Sequence, residues 1–388
     1  MADHTPVRLL PTPEARELLA LTEELADKEL APRADEHERR GEFPRDVLRT
    51  LGRAGLLGLP YPAEYGGGDQ PYEVYLQVLE VLAYRWLTIA EAVGVHTLAC
   101  YPLAKHGTQA QREALLPAML AGDLLGAYCL SEPAGGSDPA AMTTRAVPDG
   151  DGYVVNGTKA WTTHAGVADV YNIFCRTSGN GPRGISCLLA DAGTPGLAPQ
   201  ARERTMGLHA SPVAQIVFDD VRVPADRLLG SEGDGFRIAM KALDAGRLGI
   251  AACAVGLAQA ALDYATAYAR ERVQFRQPII EFQGLGFMLA DAATQIAAAR
   301  ALMLHAARLR DAGHPYTTEA AKAKLFATDM AMKVTTDAVQ VLGGYGYVAD
   351  HPVERWMREA KVLQIVEGTN QIQRMVISRS LARDPGRS

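Results

Sequence analysis

Between Phe236 and Tyr268 the chain is rich in alanine and leucine and holds hardly a residue that would break a helix. A long apolar helix must bury against others, so this segment demands a bundle around it. Gln283 to Leu309 and Glu319 to Leu342 have the same character. The first stretch, to about Gly122, also reads as helical. Thr12-Pro13-Glu14 is a helix start with Thr as N-cap, and Pro44 opens an amphipathic segment. Gly66-Gly67-Gly68 marks a loop, Thr108 and Gln111 have capping-box spacing, and Gly122 closes the helix that follows. In between, the period changes. Tyr153–Val155, Tyr171–Cys175, Ile185–Leu189 and Gln215–Phe218 are short β-like runs, and Asn156-Gly157 predicts a hairpin turn. Helix, strand, helix in three blocks is an α+β arrangement. It places an N-terminal helical domain at 1–123, a central antiparallel β-domain at 124–234, and a C-terminal four-helix-type domain at 235–388.

A chain of 388 residues is too long for one ordinary core. With 48% hydrophobic and 22% charged residues it has the profile of a globular protein. The net charge of -6, without a run of Lys or Arg, gives no electrostatic footprint for nucleic acid. Five scattered cysteines form no Cys-x-x-Cys pair, which argues against a disulfide framework or a zinc site. The N-terminus lacks a basic start before an apolar region, and no apolar run reads as long enough to cross a bilayer. A cytoplasmic location is the expectation.

Seven segments stand out in order along the chain: Tyr128 to Asp138, Gly157 to Thr163, Met206 to Pro224, Leu243 to Arg247, Arg272 to Phe275, Gln340 to Gly344, and Val366 to Arg374. Together they resemble the acyl-CoA dehydrogenase family, and the resemblance runs over most of the chain. It implies an FAD-dependent α,β-dehydrogenation of an acyl-CoA thioester, a homotetramer, and electron-transfer flavoprotein as electron acceptor.

The resemblance also implies roles. Glu367 matches the base, since a carboxylate screened from water is raised toward the range where it can take a weakly acidic proton. Its main-chain N–H matches a donor to the thioester carbonyl. Tyr128, Leu130, Ser131, Gly136 and Ser137, with Trp161, Thr162 and Thr163 from a second strand, match isoalloxazine contacts. Arg272, Gln274, Phe275, Phe282, Gln283, Gln340, Val341, Gly343 and Gly344 match segments that hold pyrophosphate and adenine of a neighbouring subunit's flavin. Thr369 and Gln371 match further cofactor positions. Ser137, Asp244, Arg247 and Gly368 match substrate contacts. Arg247, inside an alanine-rich helix, reads equally well as half of a structural ion pair.

The sequence departs from the family in places. Gly246 stands where some members carry the catalytic glutamate, so Glu367 is the single candidate. A glycine there costs about 1 kcal/mol against alanine, and it signals either room for a ligand or close helix packing. His164 replaces the usual Asn, Thr162 the usual Ile, and Arg276 a Gly after Phe275. The Leu243 to Arg247 stretch looks most like the short-chain members, which favours a short or branched acyl group. Two rivals remain: an oxidase or flavin-dependent hydroxylase of the same fold, and a non-catalytic acyl-CoA-binding scaffold.

Overall fold

A computed structural model describes residues 8–382. Six α-helices come first: α1 (Pro13–Leu25), α2 (Ala34–Arg40), α3 (Arg45–Arg53), α4 (Tyr72–Arg85), α5 (Leu87–His106) and α6 (Gln109–Leu120). The start signals act as read. The Thr12 hydroxyl accepts from Ala15 N, and Thr108 and Gln111 close a reciprocal capping box at the head of α6. Gly122, at φ +80°, follows the C-cap of α6 and ends it.

The middle of the chain is one eight-stranded sheet. Its strands are β1 (Gly126–Cys129), β2 (Arg145–Asp149), β3 (Gly152–Thr163), β4 (Val170–Arg176), β5 (Ile185–Asp191), β6 (Leu197–Pro199), β7 (Val213–Pro224) and β8 (Leu228–Leu229). The order is β6-β7-β3-β2-β4-β5-β8, with β1 beside β4. Most ladders are antiparallel as expected, but β1 and, at a single residue pair, β2 run parallel to β4. Asn156-Gly157 is not the hairpin turn. Both residues lie inside β3, and the β2–β3 turn falls at Gly150-Asp151, between the paired Asp149 and Gly152. Gly157 instead marks a register shift against β7 at φ +144°. A Cβ there would come within 2.7 Å of the Thr144 Cα, so close backbone approach selected this glycine.

The last block holds α7 (Gly235–Glu271), α8 (Gln283–Asp311), α9 (Thr317–Leu342), α10 (Val353–Leu363) and α11 (Asn370–Leu381). The first three match the long apolar segments; α10 and α11 fall in the stretch read as helical but were not delimited there. Between α7 and α8 a hairpin pairs β9 (Val273–Gln274) with β10 (Gln277–Pro278). Its turn residues, Phe275 and Arg276, sit at φ +51° and +69°. That answers the Arg276 departure: the turn keeps its left-handed shape without glycine, at a cost of about 1–2 kcal/mol per residue.

The two helical blocks share one core. Residues of α4 and α5 such as Leu79, Leu82 and Val93 join Leu248, Val255 and Leu257 of α7 in a single buried cluster. Helix α7 packs on α4, α5, α8 and α9. The sheet has its own core around Val155, Ile173 and Ile216. Three helices, α5, α7 and α8, are long and apolar enough to cross a membrane by length and composition, which corrects the expectation of none. Burial explains two of them: the apolar windows of α5 and α7 are 78% and 83% inside the protein. That of α8 is only 22% buried, so α8 turns an apolar face outward.

Two of the sequence segments meet in a buried ion pair. Lys159 Nζ on β3 lies 2.9 Å from Glu132 Oε1 and also donates to the Leu130 carbonyl. Thr143 N, Thr143 Oγ1 and Thr144 N donate to the same carboxylate. Burial would raise the Glu132 pKa, but the Lys159 charge and these donors outweigh it and hold it at about 2. This contribution to stability is therefore present above the ordinary value of 4.5 and is lost as pH falls toward 2. The pair fixes the 131–138 loop to β3. Lys159→Met should lower folding stability by about 3–5 kcal/mol by leaving a buried carboxylate unpaired, measured by denaturant unfolding.

Candidate active site

Glu367 occupies the bend between α10 and α11. Its backbone sits at φ +52°, a region that a non-glycine residue adopts only when its surroundings hold it there. Three groups do the holding. Lys324 Nζ of α9 donates to the Gly368 carbonyl at 3.0 Å and to Asn370 Oδ1 at 2.9 Å. Gln373 Nε2 donates to the Gly368 carbonyl at 2.7 Å. Asn370 N closes the turn onto the Gln364 carbonyl. Neither the Glu367 N–H nor its Oε2 makes a hydrogen bond among the described residues, although Oε2 is buried.

The carboxyl lies against α7 where Gly246 stands. A Cβ built on Gly246 would sit 2.0 Å from Glu367 Oε2 and 2.7 Å from its Cδ. The room this glycine leaves is for the glutamate side chain itself. Burial pushes the Glu367 carboxyl up to about 8, with Glu91 adding to the rise and Arg247 and Lys324 opposing it. Burial also pushes Lys324 down, to about 7.

A cavity of ≈ 380 Å³ opens in front of Glu367, at the seam where α5, α7, β3 and the 131–137 loop meet. Of the residues matched to the isoalloxazine, it gathers Tyr128, Leu130, Ser131, Gly136, Ser137, Trp161 and Thr163. Arg247, Gly368 and Thr369 line it too. Trp161 explains how a flat ligand fits. It sits at φ +57°, beside a register shift in β3, and its indole is 65% exposed over the cavity. An exposed indole on a strained backbone is a stacking surface for a planar ring, and the nearby hydroxyls offer bonds to its polar edge.

Other matched residues lie elsewhere. Thr162 points inward, buried, with its hydroxyl toward Cys129 Sγ at 3.9 Å. Asp244 does not reach the cavity: it accepts from Arg247 Nη1 at 2.8 Å and from Thr317 Oγ1 at 2.6 Å. Arg247 forms the structural ion pair with Asp244, and it also lines the cavity with its buried Nε without a partner. Gln371 is exposed and outside the cavity. Arg272, Gln274, Val341, Gly343 and Gly344 line a separate groove of ≈ 700 Å³, which shares no residue with the first. Phe275, Phe282, Gln283 and Gln340 do not line that groove, and Phe275 meets Phe282 ring to ring at 5.9 Å. His164 is buried and donates through Nδ1 to the Gly126 carbonyl as part of the sheet packing. Lys324, Gln373 and Glu91 had no role in the sequence reading. Lys324 reaches the Gly368 carbonyl from 44 residues away, and a lone charge inside a helix pattern carries no sign of that, while Gln373 acts on the bend from the first turn of the helix that follows it.

A carboxyl with one oxygen buried and without a hydrogen-bond donor, next to a slot for a planar ring, suits an oxidoreductase that takes a proton from carbon beside a flat redox group. The comparisons with known proteins agree. The N-terminal, middle and C-terminal domains described for acyl-CoA dehydrogenases match residues 12–123, 127–221 and 233–382. A short-chain-specific acyl-CoA dehydrogenase of Clostridium acetobutylicum is 43% identical over 94% of this chain and 96% of its own. The butyryl-CoA dehydrogenase structure of Megasphaera elsdenii is 40% identical, with a TM-score of 0.94 over 97% of this chain and all of its own. A chain solved in a study of the electron transferring flavoprotein of Acidaminococcus fermentans gives 0.95 at 42% identity, over 97% of this chain and all of its own. The chain belongs to the acyl-CoA dehydrogenase family.

Gly246→Ala tests the fit between α7 and the Glu367 carboxyl. Alanine favours a helix interior by about 1 kcal/mol, so thermal stability should hold or rise. Turnover should fall on the order of 10²-fold, because the carboxyl must move by an ångström or more. Unchanged turnover in this variant would contradict the geometry.

Proposed function

We propose that the protein oxidises a short or branched acyl-CoA to the trans-2-enoyl-CoA, with Glu367 as the base that removes the α-proton. The observation that carries this reading is the buried, donor-free Glu367 Oε2 at the wall of the cavity, on a carboxyl whose pKa burial pushes up to about 8. FAD held by the cavity residues would supply the hydride acceptor and one of two hydrogen-bond donors to the thioester oxygen. The other comes from the free Glu367 N–H, so one residue both polarises the carbonyl and takes the proton. Tyr128, Leu130, Ser131, Gly136, Ser137, Trp161 and Thr163 hold the ring; Thr369, at the head of α11, lies beside them. Arg247 and Gly368 contact the thioester, and Asp244 orients Arg247. A short acyl group agrees with the relatives, one of which is named as short-chain specific and another as a butyryl-CoA dehydrogenase. Electrons leave to electron-transfer flavoprotein, in a cytoplasmic homotetramer.

The separate groove around Arg272 and Gly343-Gly344 supports a flavin site completed by a neighbour. It shares no residue with the ring slot of its own chain, yet it offers a guanidinium and open glycine backbone suited to phosphate. The outward apolar face of α8 gives a second copy a surface to cover.

Glu367→Gln should keep the bound flavin and its acyl-CoA affinity but lose about 10²–10⁴-fold in turnover, read with an artificial electron acceptor. Wild-type kcat/KM should rise with pH through about 8, because the free enzyme must hold Glu367 ionised. Near-normal turnover in the variant would mean that another group is the base. Arg272→Ala should loosen FAD and lower the Tm of the holoenzyme together, as a ligand bound only by the assembled form requires. Flavin retention and sedimentation on dilution check this, and a stable monomer that keeps its flavin would exclude the shared site.

A further inference from the structure

Glu91, on α5, is a second buried carboxyl at this site. It is 7% exposed and lies in the wall common to the flavin-side cavity and a narrow inner cavity behind Glu367. Thr163 Oγ1 donates to its Oε1 at 3.1 Å and Ser211 Oγ donates to its Oε2 at 3.0 Å. No Lys or Arg is among the groups that shift its acidity, and burial pushes it up to about 7. Each oxygen therefore has one hydroxyl partner and capacity to accept one more, in a residue that lines both cavities.

The inner cavity is small and only partly aliphatic. Its free volume of ≈ 20 Å³ is room for one or two water-sized groups. Val95, Leu98 and Ile250 supply an apolar wall, while Tyr101, Lys105 and Arg310 line it as well. The Arg310 guanidinium stacks over Tyr72 at 3.8 Å. A plain alkyl chain pressed against Glu91 would strip the carboxyl of water and return no hydrogen bond, which is unfavourable. A donor on the acyl group would satisfy it.

We infer that the acyl group this enzyme is built to take is short and carries a hydrogen-bond donor, a hydroxyl or an amine, that meets Glu91. The inference rests on the dehydrogenase reading above and names Glu91 as the residue that sets specificity within it. A site that hydrogen-bonds a substrate group rejects the analogue lacking it, because its own polar group is left unpaired.

The test uses the FAD-loaded enzyme with three thioesters: butyryl-CoA, 4-hydroxybutyryl-CoA and 4-aminobutyryl-CoA, scored by kcat/KM with an artificial acceptor and by calorimetric Kd. One of the two substituted thioesters should exceed butyryl-CoA by on the order of 10- to 100-fold, the value of one hydrogen bond to a charged group. A hydroxyl source survives Glu91→Gln in part, whereas an ammonium source is lost in it. Glu91→Leu should reverse the preference toward butyryl-CoA, in Kd as well as in kcat/KM. Should Glu91→Leu fail to fold, a drop confined to the substituted thioester in Glu91→Gln carries the same conclusion. Butyryl-CoA as the best wild-type substrate would overturn the inference and leave the dehydrogenase intact. So would equal losses on all three thioesters in the variants, which would make Glu91 only a tie between α5 and the sheet. No oxidation or binding of any of the three would overturn the dehydrogenase reading itself.

Discussion

The contact between the Glu367 carboxyl and the bare Cα of Gly246 sets the terms for the rest of the site. A carboxyl can be pressed against a helix only where that helix has no side chain, and here the clearance would vanish with one methyl group. The bend that delivers Glu367 needs a left-handed backbone at that residue and again at Gly368, at φ +89°. Donors from α9 and α11 clamp both carbonyls of the bend. The long apolar helix α7 is thus more than scaffold. Its packing on α9 fixes the gap between Gly246 and the Lys324 that secures the bend.

Charge balance follows from that burial. Glu367 has lost water without gaining a cation in direct contact, so its pKa rises instead of falling as it would in a tight ion pair. Glu132 shows the opposite outcome in the same protein, with Lys159 and threonine donors in direct contact. One carboxylate fixes a loop and the other is kept free for a proton. Glu91 and Glu359 are also raised, to about 7 and about 8, chiefly by burial. For such groups the folded state holds protons that the unfolded chain releases above about 4.5, so these residues subtract stability as pH rises from there to about 8. That is the conflict between function and stability expected of a site built around buried carboxyls.

Much of this was legible in the sequence because local rules and global fold agree. Threonine caps at 12 and 108, the three long apolar segments, and the four β-like runs all form as read. Glu367 stood out within a motif, and Trp161 and Ser131 with it. What escaped notice depends on tertiary approach. Asn156-Gly157 has the local chemistry of a turn, but Thr144 crossing over it decides otherwise. The role of Gly246 could not be read before knowing that residue 367 returns to α7. Apolar spans in α5 and α7 are explained only by the neighbours that bury them. Thr162 fell on the inward face because strand alternation, with Trp161 swung out at a bulge, turns the next side chain back.

The central claim is that Glu367 takes a proton from the α-carbon, and α-proton exchange isolates that step from hydride transfer. The FAD-loaded enzyme would be incubated in D₂O with 3,3-dimethylbutyryl-CoA, whose β-carbon has no hydrogen to give, and deuterium at the α-carbon followed by NMR. The wild type should show steady α-exchange, and Glu367→Gln should exchange slower by about 10² or more. Equal exchange rates in the two proteins would contradict it.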